Sequence, residues 1–570
     1  MGIRDWLDDR TRYRRVVHYM LEEPVRGGAS WVYVFGSVLT FVLLLQVVTG
    51  VLLAFYYSAS ASDAWASVAY IQEEVTLGWF IRGLHSHGAS AMVVVAGLHL
   101  LQVAIYGAYK RPREVNWLLG VVMLGLIFTF ALTGYLLPWD QKGYWATKVA
   151  TGILGATPLV GAWLQRVAQG GNEYGNLTLT RFFALHVFVL PTVIFLAVAA
   201  HLALFRKHGV TPRWGKSDAY LNARTQPFWP DQLLRDMVAI VVAFAILALW
   251  TWRGHGVELT APADPSSSFD ARPEWYFLPL FELLKHFHGA MEKVAALGAP
   301  LLVGLILVAI PFLDRGLDRS PVQRIPFVGV VFLGFLGAGA LMSLSIRSDA
   351  ADHALKERQK KARLQAERAL TLARQGVPAA GGTAVYENDP QYQAQRLFAE
   401  RCEGCHGERE RKGPLLVPGY NARPWIRAFL KDPSGPTFFG PTKDLHKMKP
   451  VKEEGEDLDA LVELVYAQSG PADKKDALAT RGKEVFEASN CTDCHTLDPN
   501  DKDEEDANVG PNLAGRGSRE WLARVIADPG HVALFGKLNE MTAFKDKLSE
   551  AQIRLLADYV FSLRDRPVVR

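Results

Sequence analysis

The chain has 570 residues, which is too long for one compact domain, so several domains are expected. Its 62 Lys and Arg residues nearly balance its 58 Asp and Glu residues, and we expect no nucleic-acid partner. The mean hydropathy of +0.07 averages two unlike parts. Long apolar runs fill the chain to about residue 348, whereas no later stretch approaches the roughly 18 apolar residues that span a bilayer.

Seven apolar segments are predicted to cross a membrane as helices, approximately at 31–57, 84–106, 117–138, 182–205, 237–252, 294–313 and 326–346. We expect no cleavable signal peptide, because the arginine-rich start runs into a segment long enough to remain in the membrane. Loops on the N-terminal side carry more Lys and Arg than the opposite loops, which predicts a cytoplasmic N-terminus. Seven crossings then place everything after about residue 348 outside the cytoplasm.

Four histidines lie within the second and fourth apolar segments, where ionisable side chains are costly and usually functional. His85 and His99 are fourteen residues apart, so they share one helix face about four turns apart. His186 and His201 are fifteen apart and about 60° out of phase, and Pro191 between them could kink or rewind the helix to correct this. Two such helices could clamp two haems, one near each membrane face.

Glycines repeat the histidine spacing in the first and third apolar segments. Gly36 and Gly50 are fourteen residues apart, and so are Gly120 and Gly134. Glycine lets a backbone approach a flat ligand closely, although small-residue helix packing could explain one such pair. Two pairs at the histidine spacing favour haem packing over the alternative of four unrelated core histidines.

Two further features lie beside the predicted outer membrane face. Arg82 could pair with a haem propionate, or it could simply extend its side chain to the interface. The segment Pro273-Glu274-Trp275-Tyr276 lies between the fifth and sixth spans. Glu274 is a carboxylate in an apolar and aromatic setting where it can accept a proton, unless it is a solvated loop residue.

Beyond the last span, 349–385 is a strongly charged helix followed by a Gly-rich turn, which we interpret as a linker, either solvated or packed on a partner. The remainder looks like two copies of one unit, at 386–470 and 471–570. Each copy contains a helix, a CxxCH motif, a loop and a terminal helix. CxxCH is the attachment pattern of c-type haem, whose extracytoplasmic location agrees with the predicted topology.

Each copy offers a ligand set for one haem c. The first set is Cys402, Cys405, His406 and Met448. The second set is Cys491, Cys494, His495 and Met541. His446 and His531 are rivals to the methionines, whose ligation with histidine would raise the haem potential. A single zinc ion held by all four cysteines is the alternative, and the separation of the two CxxC pairs in self-similar copies argues against it.

The PEWY segment, the preceding Pro-Trp-Asp sequence, the fourteen-residue repeats and the order of the spans resemble cytochrome b of the quinol-oxidising bc and bf complexes, over residues 1–348. The histidine spacing and the three-span second half are similar to the bf type, where the protein is split in two. We therefore divide the membrane part into a haem-binding bundle at 1–220 and a second part at 221–348. The two CxxCH copies resemble small class I cytochromes c.

The resemblance to cytochrome b implies roles for individual residues. His85 with His186 would hold the outer haem b, and His99 with His201 the inner one. Glu274 and Tyr276 would line the outer quinol site, with Pro273 and Trp275 completing the site's sequence motif. In this role Glu274 accepts a quinol proton.

One departure from the bf type is informative. The position of the cysteine that holds an extra haem in that type is Val34 here, so we predict no covalently held extra haem. The residues of the inner quinone site are correspondingly uncertain, and Arg206 and Asp231 are candidates only.

The sequence therefore predicts an all-α chain: a polytopic membrane bundle of seven helices followed by two small cytochrome c domains. The resemblance implies the cytochrome b and dihaem cytochrome c subunit of a bacterial quinol:cytochrome c oxidoreductase in the inner membrane. Its cofactors would be two non-covalent haem b and two covalent haem c, and its substrate the membrane quinone. A homodimeric complex is implied.

The family mechanism sends the two electrons of quinol along separate routes. One would pass to a Rieske iron-sulfur protein, then to the c haems, and on to a cytochrome c or an oxidase. The other would cross the membrane through the b haems to the inner quinone site, with protons released outside. All four cysteines lie in CxxCH motifs, so the Rieske protein would be a separate chain. The alternative is a non-bifurcating conduit between the quinone pool and an outer redox partner, for which PEWY has no use.

Overall fold

The computed structural model describes residues 2–267, 269–407, 412–438, 440, 448–470, 477–499 and 510–566, and these are almost entirely helical. They form two compact units, Met1–Val385 and Tyr386–Arg570. A short antiparallel ribbon pairs β1 (Pro24–Val25) with β2 (Gln226–Pro227). The all-α fold class expected from the sequence is confirmed.

Seven helical runs among the described residues are long and apolar enough to cross a membrane, as predicted: Trp31–Ala54, Gly78–Tyr106, Glu114–Tyr135, Asn176–His208, Phe228–Arg253, Met291–Leu313 and Pro321–Ala351. The second, fourth and fifth runs begin earlier than predicted. Their added residues include polar side chains with partners, such as Gln232, which donates to Asp236 of its own run at 2.8 Å, while Ser37 of the first run also donates to Asp236 at 2.8 Å. Hydropathy alone cannot detect such partners.

The first unit contains sixteen α-helices among its described residues, most of them within or between the spans. They are α1 (Ile3–Thr11), α2 (Tyr13–Leu21), α3 (Phe35–Ala54), α4 (Ala64–Glu73), α5 (Gly78–Tyr106), α6 (Glu114–Tyr135), α7 (Gln141–Gly155), α8 (Gly161–Gln169), α9 (Asn176–Ala184), α10 (Leu190–His208), α11 (Asp218–Ala223), α12 (Leu233–Arg253), α13 (Leu278–Leu284), α14 (Ala290–Leu313), α15 (Ile325–Ala351) and α16 (His353–Ala373). Helix α3 packs on α5 and α6 packs on α10, with α12 beside α3 and α5.

A buried ion cluster joins the end of the second span to the last two spans. Asp314, just after α14, lies 2.7 Å from Lys110 Nζ and 3.7 Å from an Arg324 Nη atom, and Tyr109 donates a hydrogen bond to it at 2.6 Å. Arg324 also donates to the Ala104 and Ile105 carbonyl oxygens at the end of α5. One carboxylate therefore holds together chain segments about two hundred residues apart in sequence.

Replacing this carboxylate should destabilise the membrane unit. Asp314→Ala leaves the buried Lys110 and Arg324 cations without their counter-ion, which costs about 3–5 kcal/mol for a buried pair. We expect a clear fall in the thermal unfolding temperature in detergent. Arg315→Ala, at an exposed neighbour, is the control and should change stability by no more than about 0.5 kcal/mol. An unfolding temperature equal to that of the wild type would contradict the role given to Asp314.

The charged segment after the last span packs on its own chain. Leu355, Ala366, Ala369 and Leu372 bury one face of α16. Arg358 pairs with Asp270 at 2.5 Å, and Arg374 pairs with Glu73 at 2.6 Å. The expected linker at 349–385 is thus not wholly solvated, because its buried face and its basic residues contact preceding segments of the same chain.

The second unit contains seven α-helices among its described residues: α17 (Pro390–Arg401), α18 (Glu403–His406), α19 (Arg423–Lys431), α20 (Gly455–Ala467), α21 (Ala477–Ala488), α22 (Arg519–Ala527) and α23 (Glu550–Ser562). They form two hydrophobic cores. The first core joins Phe398 of α17 to α22 and α23, and the Phe398 and Tyr559 rings lie 5.2 Å apart. The second core joins Phe486 of α21 to α19 and α20.

The cores do not follow the division of the chain into 386–470 and 471–570. Helix α17 leads into the first CxxCH motif but packs on the last two helices of the chain, and α21 leads into the second motif but packs on helices that precede it. Gly482 permits the close packing of α21 on α20, since a Cβ there would lie 2.8 Å from Leu464 Cβ. The boundary at 470 separates two sequence repeats, whereas each core combines halves of both.

Candidate functional site

The outer histidine pair faces across the membrane bundle. The His85 and His186 rings have centroids 6.3 Å apart. Each ring is held at Nδ1 by a threonine hydroxyl, Thr49 to His85 at 2.9 Å and Thr133 to His186 at 3.1 Å. A metal–imidazole bond is about 2 Å long, so this separation suits one iron bonded to both rings.

The threonines also set the tautomer of the histidines. Thr49 donates its own hydroxyl proton to the Leu45 carbonyl at 2.6 Å, and Thr133 donates to the Thr129 carbonyl at 2.9 Å. Each hydroxyl oxygen therefore accepts from the histidine Nδ1–H, which leaves Nε2 free as a ligand. Sequence reasoning missed both threonines, although each directly precedes one of the repeated glycines.

A π-helical turn corrects the phase of the second histidine pair. Residues Leu185–Val189 form this turn directly around His186. The turn inserts one extra residue, so that fifteen residues from His186 to His201 occupy the place of fourteen. Pro191 follows the turn and, lacking an N–H, favours the altered hydrogen-bond pattern. The rewinding expected near this proline is therefore present, with the π-turn as its form.

The repeated glycines lie beside the histidines to different degrees. A Cβ at Gly134 would lie 2.6 Å from His186 Cε1, and one at Gly50 would lie 3.2 Å from His85 Cε1. At Gly120 the nearest atom, His201 Cε1, is 3.8 Å away, and no protein atom lies within 4 Å at Gly36. The His186 ring therefore requires glycine at Gly134, the His85 ring packs tightly on Gly50, and the haem-packing role of all four glycines stays a prediction.

The inner pair lies on the same two helices as the outer pair. His201 Nδ1 lies 3.1 Å from the Asn116 carbonyl oxygen, to which it can donate, leaving Nε2 for a metal. His99 on α5 is close enough to His201 to interact with it electrostatically. The donor set, two pairs of imidazoles with glycines beside three of the four rings, fits haem b.

The PEWY segment packs against α5, which carries His85, and against α6, which carries Thr133. Trp275 Nε1 donates to Ser90 Oγ of α5 at 3.3 Å, and the Tyr276 ring lies 6.4 Å from Phe128 of α6. Burial raises the pKa of Tyr276, and nearby Glu274 raises it further, so this phenol remains a hydrogen-bond donor. Pro273 precedes this cluster.

Glu274 forms an ion pair that the sequence did not reveal. Lys142 Nζ lies 2.9 Å from Glu274 Oε1, and both side chains are about one-third exposed. Lys142 belongs to α7, the helix that follows the third span, so the two residues are distant in sequence. The proton-accepting role expected of Glu274 requires this pair to open.

Arg82 bonds to the loop after the fifth span. Its guanidinium donates to the Val257 carbonyl at 2.7 Å, to the Glu258 carbonyl at 3.1 Å and to Gln72. These bonds give Arg82 a positioning role, and the propionate contact stays a prediction. Of the inner quinone candidates, Arg206 pairs with Glu23, and the Asp231 carbonyl accepts from Arg235 at 2.6 Å.

The two CxxCH motifs hold their histidines alike. His406 Nδ1 lies 2.9 Å from the Pro414 carbonyl oxygen, and His495 Nδ1 lies 2.8 Å from the Pro511 carbonyl oxygen. Burial lowers the pKa of both imidazoles, which keeps them neutral. Each ring thus leaves Nε2 free to bind a metal, as the predicted role of fifth haem ligand requires. The repeated Gly-Pro dipeptide after each motif was the overlooked signal.

The methionines and their rivals differ in placement. Met448 packs half-buried on the second core, and Met541 is also half-buried. His531 is exposed, and its Nδ1 accepts from the Ala533 N–H at 3.2 Å. His446 lies outside the described residues. The four motif cysteines are not disulfide-bonded, as haem attachment requires.

Removing one threonine hydroxyl should weaken the outer site. Thr133→Val leaves the His186 Nδ1–H without its acceptor, and loss of such a partner typically costs 10–100-fold in metal affinity. We expect purified protein to lose outer haem b, measured by haem content and redox titration. Thr129→Val is the control, because its exposed hydroxyl bonds only to the Gly125 carbonyl of its own helix. Equal haem b content in both variants would contradict this role.

Family models match three stretches of the chain. Residues 20–209 match the model described as cytochrome b/b6/petB, and residues 262–353 match cytochrome b(C-terminal)/b6/petD. Residues 477–560 match cytochrome C oxidase, cbb3-type, subunit III. The first two cover most of the membrane unit, and the third covers the second CxxCH motif.

Curated proteins resemble the membrane unit. Cytochrome b of Rhodobacter capsulatus is 36% identical over 50% of this chain and 68% of its own length. The cytochrome bc complex cytochrome b subunit of Chlorobaculum thiosulfatiphilum is 34% identical over 56% of this chain and 76% of its own length. The menaquinol:cytochrome c reductase cytochrome b subunit of Bacillus subtilis is 42% identical over 37% of this chain and 97% of its own length. Among solved structures, a hyperthermophilic respiratory complex III chain is 26% identical with a TM-score of 0.53, covering 66% of this chain and 98% of that one.

Proposed function

Because the chain belongs to the cytochrome b family, we propose that it is the fused cytochrome b and dihaem cytochrome c subunit of a bacterial quinol:cytochrome c oxidoreductase. It is an integral membrane protein and a member of an oxidoreductase complex. One observation carries the proposal: Trp275 contacts Ser90 of α5, the helix of His85, and Tyr276 lies near Phe128 of α6, the helix of Thr133. A proton-accepting pocket beside an electron-accepting site is what quinol oxidation needs.

The proposal gives each group of residues a task. Paired histidines would hold two haem b, and the CxxCH motifs two haem c, and these groups supply one-electron transfer. Tyr276 offers a hydrogen bond to a quinol oxygen. Glu274 takes up the quinol proton after its ion pair with Lys142 opens.

The proposed assembly places quinol oxidation at the outer face of the inner membrane, with the N-terminus in the cytoplasm and residues after 348 outside. A separate Rieske protein would accept one electron of each quinol, and the other would cross the membrane to the inner quinone site. The acceptor would be a cytochrome c or an oxidase, and the complex a homodimer. The basic residues of the N-terminal side loops support this orientation.

An oxidant pulse tests bifurcation. In membranes supplied with quinol and blocked at the inner quinone site, the b haems should become more reduced as the c haems become oxidised. Absorption spectroscopy follows both haem types at once. If b and c haems oxidise together, the haems form one linear conduit between the quinone pool and an outer partner, and that alternative replaces the proposal.

The carboxylate of the outer site can be tested separately. Glu274→Gln removes the proton acceptor and should slow quinol oxidation by about 100-fold or more, with the haem spectra unchanged. Glu258→Gln is the matched control, because its side chain is exposed and only its backbone carbonyl bonds to Arg82. Steady-state cytochrome c reduction measures both variants. Turnover of the Glu274→Gln variant at the control rate would exclude Glu274 as the acceptor.

A further inference from the structure

The second unit exchanges halves between its two sequence repeats. The first half of repeat one, α17 with Cys402, packs on α22 and α23 from the second half of repeat two. The first half of repeat two, α21 with Cys491, packs on α19 and α20 from the second half of repeat one. Each motif therefore shares a hydrophobic core with the other repeat's terminal helices.

The chain changes core at two places that touch each other. After Tyr420, which packs on the first core, the chain passes through Asn421 into α19 of the second core. After Leu513, in the second core, it passes through Arg516 into α22 of the first core. Arg516 donates to Asn421 Oδ1 at 3.1 Å, and Asn421 is buried with a left-handed φ of 61°. The two connections between the cores are thus held together by a specific hydrogen bond.

The two methionines occupy equivalent positions. Three residues after Met448, the Val451 N–H donates to the Leu430 carbonyl near the end of α19 at 2.9 Å. Three residues after Met541, the Phe544 N–H donates to the Ala527 carbonyl at the end of α22 at 3.1 Å. Each methionine is therefore fixed to the second half of its own repeat, just before the terminal helix.

Side-chain contacts place Met448 with the second motif. Met448 and Cys491 both pack on the second core, whose buried members include Leu430 and Phe486. The Ser489 hydroxyl, two residues before Cys491, donates to Glu453 at 2.5 Å, close after Met448 in sequence. The first core shows the equivalent arrangement: Phe544, three residues after Met541, and Cys402 both pack on it.

We propose that the axial ligands cross between the repeats: Met541 is the sixth ligand of the haem bound by Cys402, Cys405 and His406, and Met448 that of the haem bound by Cys491, Cys494 and His495. This reverses the pairing expected from the sequence, in which each repeat completes its own haem site. The inference rests on the proposed function only through the attachment of two haem c. It follows that neither repeat can complete a haem site without the other.

The test marks one haem spectroscopically in the full-length chain. Cys402→Ala leaves the His406 haem attached by one thioether, and the vinyl group retained on that haem moves its reduced α-band to longer wavelength. In this background Met541→His should lower the midpoint potential of the shifted band, because a second histidine replaces the methionine. Met448→His should lower the potential of the unshifted band instead.

The reciprocal background is the matched control. With Cys491→Ala, the shifted band belongs to the His495 haem, and Met448→His should now lower its potential while Met541→His does not. Either background alone decides the pairing if the other variant fails to attach haem. The opposite assignment of bands in either background overturns the crossed pairing, as does an unchanged potential in both methionine variants.

Failure of the underlying attachment gives a different result. Wild-type protein without covalently bound haem would overturn the dihaem part of the proposed function, and the crossed pairing with it. Two attached haems with uncrossed ligands would overturn only the crossed pairing.

Discussion

A buried imidazole in a bilayer needs an acceptor for its Nδ1–H if its Nε2 is to bind a metal, and three of the four membrane histidines have one. Thr49 and Thr133 meet it at the outer level, and the Asn116 carbonyl meets it for His201. Because these acceptors lie on α3 and α6, the histidine helices α5 and α10 must pack directly on them. The glycines next to the threonines follow from the same constraint, since any Cβ at Gly134 would meet the His186 ring.

The outer site depends in turn on contacts that reach across the chain. Helix α5 carries His85, and helix α6 carries Thr133, the hydrogen-bond acceptor of His186. The aromatic residues of the PEWY segment pack on these same two helices. Arg82 binds the loop after the fifth span, and Lys142 binds Glu274. The carboxylate proposed as proton acceptor is therefore positioned by the same helices that position the histidines, which would couple the two functions proposed for the outer site.

Periodicity and length were sufficient to predict the seven spans, the shared face of His85 and His99, and the need to rewind the helix near Pro191. They could not predict the π-turn, because a fifteen-residue spacing is also compatible with a kink. The acceptor threonines were missed because a hydroxyl within an apolar run carries no spacing signal of its own. The Glu274 partner of Lys142 and the Val257 partner of Arg82 could not be predicted for another reason: they lie more than a hundred residues away, and composition gives no information on which loops meet.

The second unit shows the limit of reading repeats as domains. Both repeats have the same order of helix, motif, loop and terminal helix, so the first half of either repeat presents the same apolar face to the second half of either. Burial of Phe398 and Phe486 is satisfied equally by paired or exchanged halves, and hydrophobic patterning cannot distinguish them. What distinguishes them is local: the buried Asn421 and the Arg516 that contacts it lie where the chain leaves each core. If the ligands cross as proposed, the two haem sites share both repeats and form as one cooperative unit, which would keep the two electron carriers at a fixed spacing.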